Sequence, residues 1–372
     1  MTDATQTLHA PGPTGEGAAA PPPRSEAEPA SGPPSHLART LSPKNIGAVY
    51  VWIGIVLLFV LLEPDAFASS QTAKSVLNQY AITGMVALAL VVPLATGVYD
   101  LSIGFVMALA GVLAAYLLRE TSLSPVIVGV LTIGACVLVG LLNALVVVGL
   151  RVNSFIGTLG TGAILAAITS AFSKDQTIVG RVGDDFAKLS TTNVSGVTMP
   201  VIYMVLLMIA IGYWLERTQS GRQLYATGFD RETARLAGTP VDRLATLAFV
   251  TSAAVAGFAG MCLAARVSSA TPDAGTAYLI PAFSAAFLGA TQLRGGRFNP
   301  WGTVIGVLLL GTGNVGLLIA GGPTWTPRLF EGVVLIAAVA LSVSSTEGGV
   351  RRLLGGLRRK PDEGPVAAGK NG

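Results

Sequence analysis

The sequence predicts an all-α fold, a polytopic transmembrane helical bundle. Hydrophobic residues make up 51% of the 372 residues, charged residues only 12%, and the mean hydropathy is +0.64. Soluble domains carry about a quarter charged residues. Apolar runs of roughly 17–25 residues, the length that a helix needs to cross a bilayer, recur along the chain. One strongly charged segment, residues 216–243, divides this apolar body into two parts.

The composition divides the chain into three regions. Residues 1–44 are rich in Pro, Ala, Gly and Ser, so we expect a disordered tail, and the absence of an apolar run argues against a signal peptide. Residues 45–344 form the predicted transmembrane domain, with 216–243 as its charged loop. Residues 345–372 are a basic tail.

We predict about ten spans in the transmembrane domain. They cover residues 46–62, 79–97, 101–118, 125–150, 154–172, 199–215, 244–265, 277–293, 300–320 and 328–344. The first, eighth and last spans are short, so nine or eleven spans also fit the pattern.

The distribution of basic residues predicts the orientation. With ten spans both tails lie on one side of the membrane, and that side then holds 17 of the 24 Lys and Arg residues, against seven on the other. Cytoplasmic segments carry the excess of Lys and Arg. We therefore expect both termini and the charged loop 216–243 in the cytoplasm.

The charged loop contains a predicted short helix. Asp230 is a suitable N-cap, and the residues after it form about two turns. Gly238 is suited to the C-terminal end, where a left-handed backbone conformation is common.

The same short helix has a charged side and an apolar side. Glu232 and Arg235 are spaced three residues apart, so they can pair. Ala234 and Leu236 are apolar and have no evident partner in their own loop. We expect this side of the helix to dock on another protein.

Asp100 lies between the second and third spans, where almost no loop separates them. A carboxylate near hydrocarbon costs a few kcal/mol unless it is paired or reaches water. One interpretation is a cap on the third span, accepting the amides of Ser102 and Ile103. The other is a residue that lines a transport pathway or holds its gate.

Several neutral polar side chains lie in the spans or at their ends. They suit an uncharged, hydroxyl-rich cargo, because they offer hydrogen bonds without selecting a charge. Each also fits an interhelical hydrogen bond of about 0.6 kcal/mol. These residues are Asn143, Asn153, Ser154, Thr158, Thr161 and Asn314.

The sequence argues against several other functions. Its two histidines lie in the N-terminal tail, and its two cysteines are isolated in apolar runs, so we expect no catalytic group, cofactor or metal site. The basic residues are scattered, which does not favour nucleic-acid binding. Residues 311–316 spell a dinucleotide fingerprint inside a span, where glycines favour close helix packing. We expect the chain not to bind ATP by itself.

A short internal similarity suggests a repeat. Residues 153–158 open the fifth span and residues 299–303 open the ninth with a comparable Asn-to-Thr pattern. Spans two to five and seven to ten begin on opposite sides of the membrane. Two halves of opposite orientation fit an inverted repeat, which is common in transporters.

Five motifs, in order, resemble ribose-type sugar ABC permeases. Residues 95–111 resemble the GGIDLSVGS…ALAG signature of that family, and residues 152–161 its PxFIxTLGT stretch. Residues 221–238 resemble GRxxYAxGxNxEAARLSGI. Residues 287–297 and 301–306 resemble VLGGTSLxGGRG and WGTxxG. The similarity covers residues 45 to 343; Tyr99 and Glu331 are among its departures.

The resemblance implies the membrane subunit of an ATP-driven importer in a bacterial cell membrane. Such a subunit moves a monosaccharide or similar polyol by alternating access, and hydrolyses no ATP itself. The implied partners are ABC ATPase subunits in the cytoplasm, an extracytoplasmic sugar-binding protein and a second permease chain, identical or different, in lipid.

The resemblance also implies roles for individual residues. The coupling helix that fits the ATPase corresponds to Asp230, Glu232, Ala234, Arg235, Leu236 and Gly238. Our candidates for the pathway and its gate are Asp100, Ser102, Asn153, Thr158 and Asn314.

Three alternatives stay open. A related permease branch carries branched-chain amino acids, although the DLS signature favours sugars. An ion-coupled secondary transporter needs ionisable groups in the membrane, for which only Asp100 and Glu331 are candidates. A receptor or scaffold would transport nothing.

Overall fold

The computed structural model describes residues 43–179, 184–290 and 296–346. These ranges contain fourteen α-helices: α1 Pro43–Leu62, α2 Pro64–Phe67, α3 Ser70–Ala95, α4 Ile103–Glu120, α5 Pro125–Ala144, α6 Ser154–Ser173, α7 Asp184–Thr191, α8 Met199–Arg217, α9 Gln219–Phe229, α10 Arg231–Leu236, α11 Val241–Val267, α12 Leu279–Ala290, α13 Pro300–Ile319 and α14 Thr326–Thr346. A π-helical turn, Leu145–Gly149, continues α5, and a 3-10 turn, Thr276–Tyr278, precedes α12.

Short strands form two antiparallel pairs. Strand β1, Ile178–Val179, pairs with β4, Ser269–Ala270, and β2, Asn193–Val194, pairs with β3, Val197–Thr198. The prediction of an all-α membrane bundle is confirmed, since the strands have two residues each and lie in loops.

Seven described helices are long and apolar enough to cross a membrane: α3, α4, α5 with its π turn, α6, α8, α11 and α13. The other three predicted spans correspond to the shorter apolar helices Gly47–Leu62 and Thr276–Ala290 and to α14. These are the first, eighth and last spans, which the sequence analysis describes as short. The predicted number of ten is therefore approximate. The predicted tails, residues 1–44 and 345–372, lie outside the described residues except for 43–44 and 345–346, which belong to α1 and α14.

Helix α3 lies at the centre of the bundle and contacts α8, α11, α12 and α13. In α3 and α13 72% of the most apolar window is buried within the chain, compared with 28% in α5 and 33% in α6. Because α5 and α6 expose most of their apolar surface, they form the periphery that lipid or another chain covers.

Glycines permit the close approach of the central helices. Gly260 of α11 lies against the backbone of Met107, and Gly289 of α12 against that of Gly302. The glycines of the 311–316 fingerprint lie inside α13 and contact aromatic rings of three other helices: Gly311 with Tyr80, Gly313 with Phe330 and Gly316 with Phe59. Helix packing explains this motif, as predicted.

The loops separate into two groups at opposite ends of the bundle. At one end, called the proximal end, residues 97–102, 147–153, 216–243 and 296–301 lie together. At the other, the distal end, Arg266 donates to the carbonyl of Asn78, and Asn78 donates to that of Gly196. Strands β1 and β4 also pair there. This separation matches the alternating direction predicted for spans two to nine.

Candidate transport site and coupling surface

Asp100 is the centre of a buried polar cluster at the proximal end. Its Oδ1 accepts hydrogen bonds from the Ser102 amide at 3.0 Å and the Ser102 hydroxyl at 2.6 Å. Its Oδ2 accepts from the Ser252 hydroxyl of α11 at 2.8 Å. Asn143 of α5 donates to the Ser102 hydroxyl at 2.7 Å. These four residues, the Asp100 cluster, are fully buried.

The Asp100 cluster connects the loop before α4 to α5 and α11. Asp100 accepts a hydrogen bond from the Ser102 amide, as the capping interpretation predicts. The N-cap residue of α4 is Ser102, because the helix begins at Ile103, and the Ser102 side chain makes no capping hydrogen bond. The three donors offset part of the desolvation cost of the carboxylate. Asp100 is therefore an interhelical junction with no solvent-accessible surface in this conformation, and a role as a surface that contacts cargo stays a prediction.

Two hydroxyls of α6 hold the same loop from the other side. Thr158 accepts a hydrogen bond from the Leu101 amide at 3.0 Å, and Ser154 accepts one from the Tyr99 amide at 3.1 Å. Asn153 is the N-cap of α6, where its Oδ1 accepts from the Phe155 amide at 3.0 Å. The structure thus brings Asp100, Ser102 and Thr158 together, with Asn153 nearby.

Asn314 belongs to a different cluster. Its Nδ2 donates to the Tyr80 hydroxyl at 2.6 Å and to Glu331 Oε1 at 2.7 Å. It lies about 14 residues along α13 from the proximal end, which corresponds to roughly 20 Å of helix. Asn314 therefore does not join the other pathway candidates. Its buried Oδ1 has no hydrogen-bond partner among the described residues.

An aromatic groove lies beside the Asp100 loop. This cavity of about 700 Å³ has five aromatic lining residues, together with aliphatic ones, and its described lining includes no charged side chain. The aromatic residues are Tyr99, Phe155, Phe283, Phe287 and Phe298. Sequence reasoning noted Tyr99 only as a departure and missed the groove, because its members come from distant parts of the chain.

The predicted short helix of the charged loop is present as α10. Asp230 is its N-cap, with Oδ1 accepting from the amides of Glu232 and Thr233 at 3.0 Å. The amide and hydroxyl of Thr233, with the Glu232 amide, lower the pKa of Asp230. Gly238 adopts φ +81 after the helix, the left-handed conformation expected of a C-terminal glycine.

Asp242, at the start of α11, organises the charges around α10. Its Oδ1 lies 2.8 Å from Arg231 and 3.4 Å from Arg235. The predicted pairing of Glu232 with Arg235 is present, but at 3.9 Å it is the longer contact. All of these side chains are substantially exposed, so the pairs contribute little stability.

The apolar side of α10 differs from the prediction. Leu236 is 82% exposed, whereas Ala234 is only 6% exposed. The expectation that the Ala234 side chain is available for docking is wrong, because the chain itself covers it. Phe229, at the end of α9, is 92% exposed. Sequence reasoning missed Phe229 because it precedes the predicted N-cap.

Helix α9 connects the charged loop to the end of α3 and to the segment before α13. The backbone of Gly228 packs directly on that of Ala95 and Gly97, so neither glycine has room for an unstrained Cβ. On the other side, the Tyr225 hydroxyl donates to the carbonyl of Phe298 at 2.8 Å. Arg297 lies 5.7 Å from the centre of the Tyr225 ring.

The helix before the loop makes a further connection. The indole of Trp301 in α13 donates to Glu216 Oε1 at 3.0 Å, and its ring packs on Gly212 of α8.

Among the described residues, no group of three or more His, Cys, Asp and Glu side chains has an arrangement for a metal ion.

A bundle of long apolar helices, with its polar loops at two ends and a capped helix at one of them, defines a multi-pass membrane protein with the organisation of a transport permease. The family model described as "Branched-chain amino acid transport system / permease component" matches residues 72–339, and the chain belongs to this family.

Curated relatives cover most of the chain. It is 31% identical over 289 residues to the ribose import permease protein of Bacillus subtilis, covering 77% of this chain and 89% of that protein. It is 31% identical to the D-allose transport system permease protein of Escherichia coli, with 79% and 90% covered. It is 32% identical to the fructose import permease protein of Rhizobium meliloti, with 81% and 85% covered. No solved structure matches the chain.

Proposed function

We propose that this chain is the membrane subunit of an ATP-driven ABC importer that moves a monosaccharide or a similar polyol across a bacterial cell membrane. The support for a sugar comes from the relatives, which are ribose, allose and fructose permeases over nearly their whole length. Separate ABC ATPase subunits supply the energy, and an extracytoplasmic sugar-binding protein supplies the cargo. A second permease chain completes the pathway.

The chemistry of the described residues favours a neutral cargo over an amino acid. A zwitterion needs partners for its ammonium and carboxylate groups, either ionised side chains or the ends of helix dipoles. The described lining of the aromatic groove includes no charge, and the Asp100 carboxylate is fully buried with three donors. Aromatic and neutral polar surfaces suit a hydroxylated cargo instead. The branched-chain amino acid alternative is supported only by the description of the family model.

The surroundings of the two acidic candidates, Asp100 and Glu331, weaken the ion-coupled alternative. A coupling ion needs an ionisable group that it can reach from the pathway. Asp100 exposes no surface, and Glu331 is hydrogen-bonded to Asn314 in a separate cluster. We therefore assign the energy source to ATP, with the proximal end in the cytoplasm in accordance with the distribution of basic residues.

The observation that carries the proposal is the pair of bare apolar side chains at the polar proximal end. Phe229 and Leu236 are 92% and 82% exposed on either side of the capped Asp230 turn. Exposed apolar side chains that are grouped in one short polar loop are characteristic of a protein–protein interaction site, whereas single ones are ordinary. We assign this surface to the ATPase. A movement of the bound ATPase then reaches the Asp100 cluster through the contact between Gly228 and Gly97.

The test uses Leu236→Asp in proteoliposomes that contain the full chain with its ATPase and binding protein. We expect normal amounts of protein in the membrane, because residue 236 is in water, together with loss of ATP-driven uptake. The matched control is Val194→Asp, an exposed apolar residue in the distal loop. Uptake at the wild-type rate by Leu236→Asp would contradict the coupling assignment.

Cargo and energy source have separate readouts in the same vesicles. Labelled ribose, fructose and leucine are supplied together with the extracytoplasmic binding protein. The proposal expects uptake of a sugar that stops when ATP is depleted and persists when a proton uncoupler is added. Uptake of leucine alone, or uptake that the uncoupler abolishes, would replace the proposal with one of the two alternatives.

A further inference from the structure

A second cavity at the proximal end has a basic lining. Its volume is about 330 Å³, and it lies between the start of α6, the turn after α5 and the short helix α10. Three arginines contribute to its lining, Arg151, Arg231 and Arg235, together with one carboxylate, Asp242. The lining residues come from four separate segments, 97–98, 147–154, 231–235 and Asp242, so the cavity exists only in the folded chain.

The charges of this cavity do not cancel. Arg231 and Arg235 share a single oxygen of Asp242, at 2.8 and 3.4 Å. Arg151 forms no ion pair with any residue that the structure describes. Among the lining residues, three cations and one anion leave an excess of two positive charges, and outside the lining Glu232 makes a longer contact of 3.9 Å with Arg235. Each guanidinium carries five N–H donors, so donors remain for an anion after the Asp242 contacts are made.

The backbone at Arg151 is held in an unusual conformation. Its φ is +57, in the left-handed region that non-glycine residues seldom adopt. Arg151 follows the π turn, in which the Leu150 amide bonds to the Leu145 carbonyl, and the Val152 amide bonds to the Val146 carbonyl. Both π turns and strained backbone positions are frequent at functional sites. Here the strained residue is the arginine without a carboxylate partner.

The surface next to the cavity is apolar and bare. Leu145, Leu150 and Ile156 are 58%, 67% and 67% exposed on the end of α5 and the start of α6. In a protein that spans a membrane, such residues contact acyl chains. A basic cavity beside an acyl-chain surface matches a molecule with a phosphate at one end and hydrocarbon at the other.

We propose that this cavity binds the phosphate headgroup of an anionic phospholipid, with Arg151 as its principal ligand and Arg231 and Arg235 as supporting donors. Arginine forks fit phosphate oxygens with paired hydrogen bonds. Basic pockets between transmembrane helices are suited to anionic headgroups. Since two of the donors belong to α10, the lipid and the proposed coupling helix contact each other directly. The proposal does not depend on the identity of the cargo.

The experiment measures which lipids stay bound to the full-length protein. The protein is placed in nanodiscs of equal phosphatidylcholine and phosphatidylglycerol, and native mass spectrometry counts the lipids retained after the disc is removed. We expect wild type to retain phosphatidylglycerol preferentially. Arg151→Gln lowers this preference by about fivefold, the contribution expected of one arginine near an anionic leaflet.

The matched control is Arg217→Gln. Arg217 is an exposed arginine at the same end of the bundle, but it does not line the cavity. It should keep the wild-type preference, and Arg151→Lys should restore part of what Arg151→Gln loses. Equal preference in wild type and Arg151→Gln, or an equal loss in Arg217→Gln, would overturn the proposal.

A further measurement distinguishes a bound lipid from a bound soluble anion. Millimolar inorganic phosphate is added before the disc is removed. The proposal expects the bound phosphatidylglycerol to remain, because free phosphate cannot use the apolar surface beside the cavity. Displacement of the lipid by inorganic phosphate would assign the cavity to a free anion and overturn the lipid assignment.

Discussion

The Asp100 cluster and helix α10 are two polar assemblies at the same end of the molecule, and they are built in opposite ways. Each is organised by one aspartate: Asp100 accepts hydrogen bonds from two serine hydroxyls and one backbone amide, and Asp230 from one threonine hydroxyl and two backbone amides. Asp100 is fully buried and joins separate helices, whereas Asp230 is exposed and caps six residues. The first assembly is buried within the chain, although Asn143 Oδ1 has no hydrogen-bond partner among the described residues, and the second leaves Phe229 and Leu236 uncovered.

This difference shows how one chain can contain both a rigid junction and a surface for a partner. Buried hydrogen bonds to a charged group are costly to break, because the separated groups cannot reach water. The exposed ion pairs around α10 contribute little, because water competes for them. Gly228, near the end of α9 and two residues before Asp230, packs on Ala95 and Gly97, so we expect a displacement of α10 to reach the loop that holds Asp100.

The strongest test of the comparison is Asp100→Ala. The change removes the acceptor of three buried hydrogen bonds from Ser102 and Ser252. We expect the free energy of unfolding to fall by about 3 to 5 kcal/mol, because the donors are left unpaired away from water. Thermal unfolding in detergent measures this. The exposed Asp273→Ala is the control and should unfold like wild type; an equally stable Asp100→Ala protein would show that Asp100 is not a junction.

The contact between the two assemblies is tested by Gly228→Ala. An added Cβ would overlap the carbonyl of Ala95, so α9 must move away from the end of α3. We expect a loss of about 1 to 3 kcal/mol in stability, as for an overpacked site, and a larger proportional loss of ATP-driven uptake. Gly129→Ala on α5, where nothing lies within 4 Å of the new methyl group, should leave both unchanged. Similar behaviour of the two variants would argue against a specific contact.

The cap of α10 is tested by Asp230→Ala. The amides of Glu232 and Thr233 lose their acceptor, so their hydrogen exchange should accelerate by about threefold to tenfold, while global unfolding is unaffected. Asp230→Ser, which keeps a capping oxygen, should restore most of the protection.

The stability of the Asp230 cap should depend on pH, and it should decrease as the pH falls. The pKa of Asp230 is lowered from its ordinary value of 3.8 by the hydrogen bonds of Thr233 and the Glu232 amide. The stabilisation of α10 is therefore complete above pH 3.8 and disappears as the pH falls through the lowered pKa. Protection of the Thr233 amide that increases toward lower pH would contradict this assignment.

The smallest effect is expected for Glu232→Gln. Its carboxylate is 3.9 Å from Arg235, and the Glu232 side chain is 70% exposed. We expect a change in stability of about 0.5 kcal/mol or less. A larger loss of stability would mean that the ion pairs around α10 stabilise the protein as strongly as the hydrogen bonds of the Asp100 cluster. The contrast between the two assemblies would then disappear.

Local sequence signals predicted most of the fold and part of the site. Asp230 and Gly238 were correctly placed because capping depends on neighbours within a few residues. The seven long spans were found because the length of an apolar run is a local property. The uncertain spans are the short ones, and Ala234 was assigned to the wrong environment because its burial depends on neighbours from elsewhere in the fold.

The sequence by itself determined the membrane bundle, the division into two apolar bodies, the charged loop with its capped helix, and the order of motifs that identifies the family. These follow from composition, period and spacing along the chain. Only the tertiary structure decided that Asp100 bonds to Ser252, that Phe229 is bare, that Asn314 lies apart, and that Arg151 meets Arg231 and Arg235. The physical reason is that burial and charge pairing depend on which distant segments pack together, and hydrophobic patterning leaves that choice open.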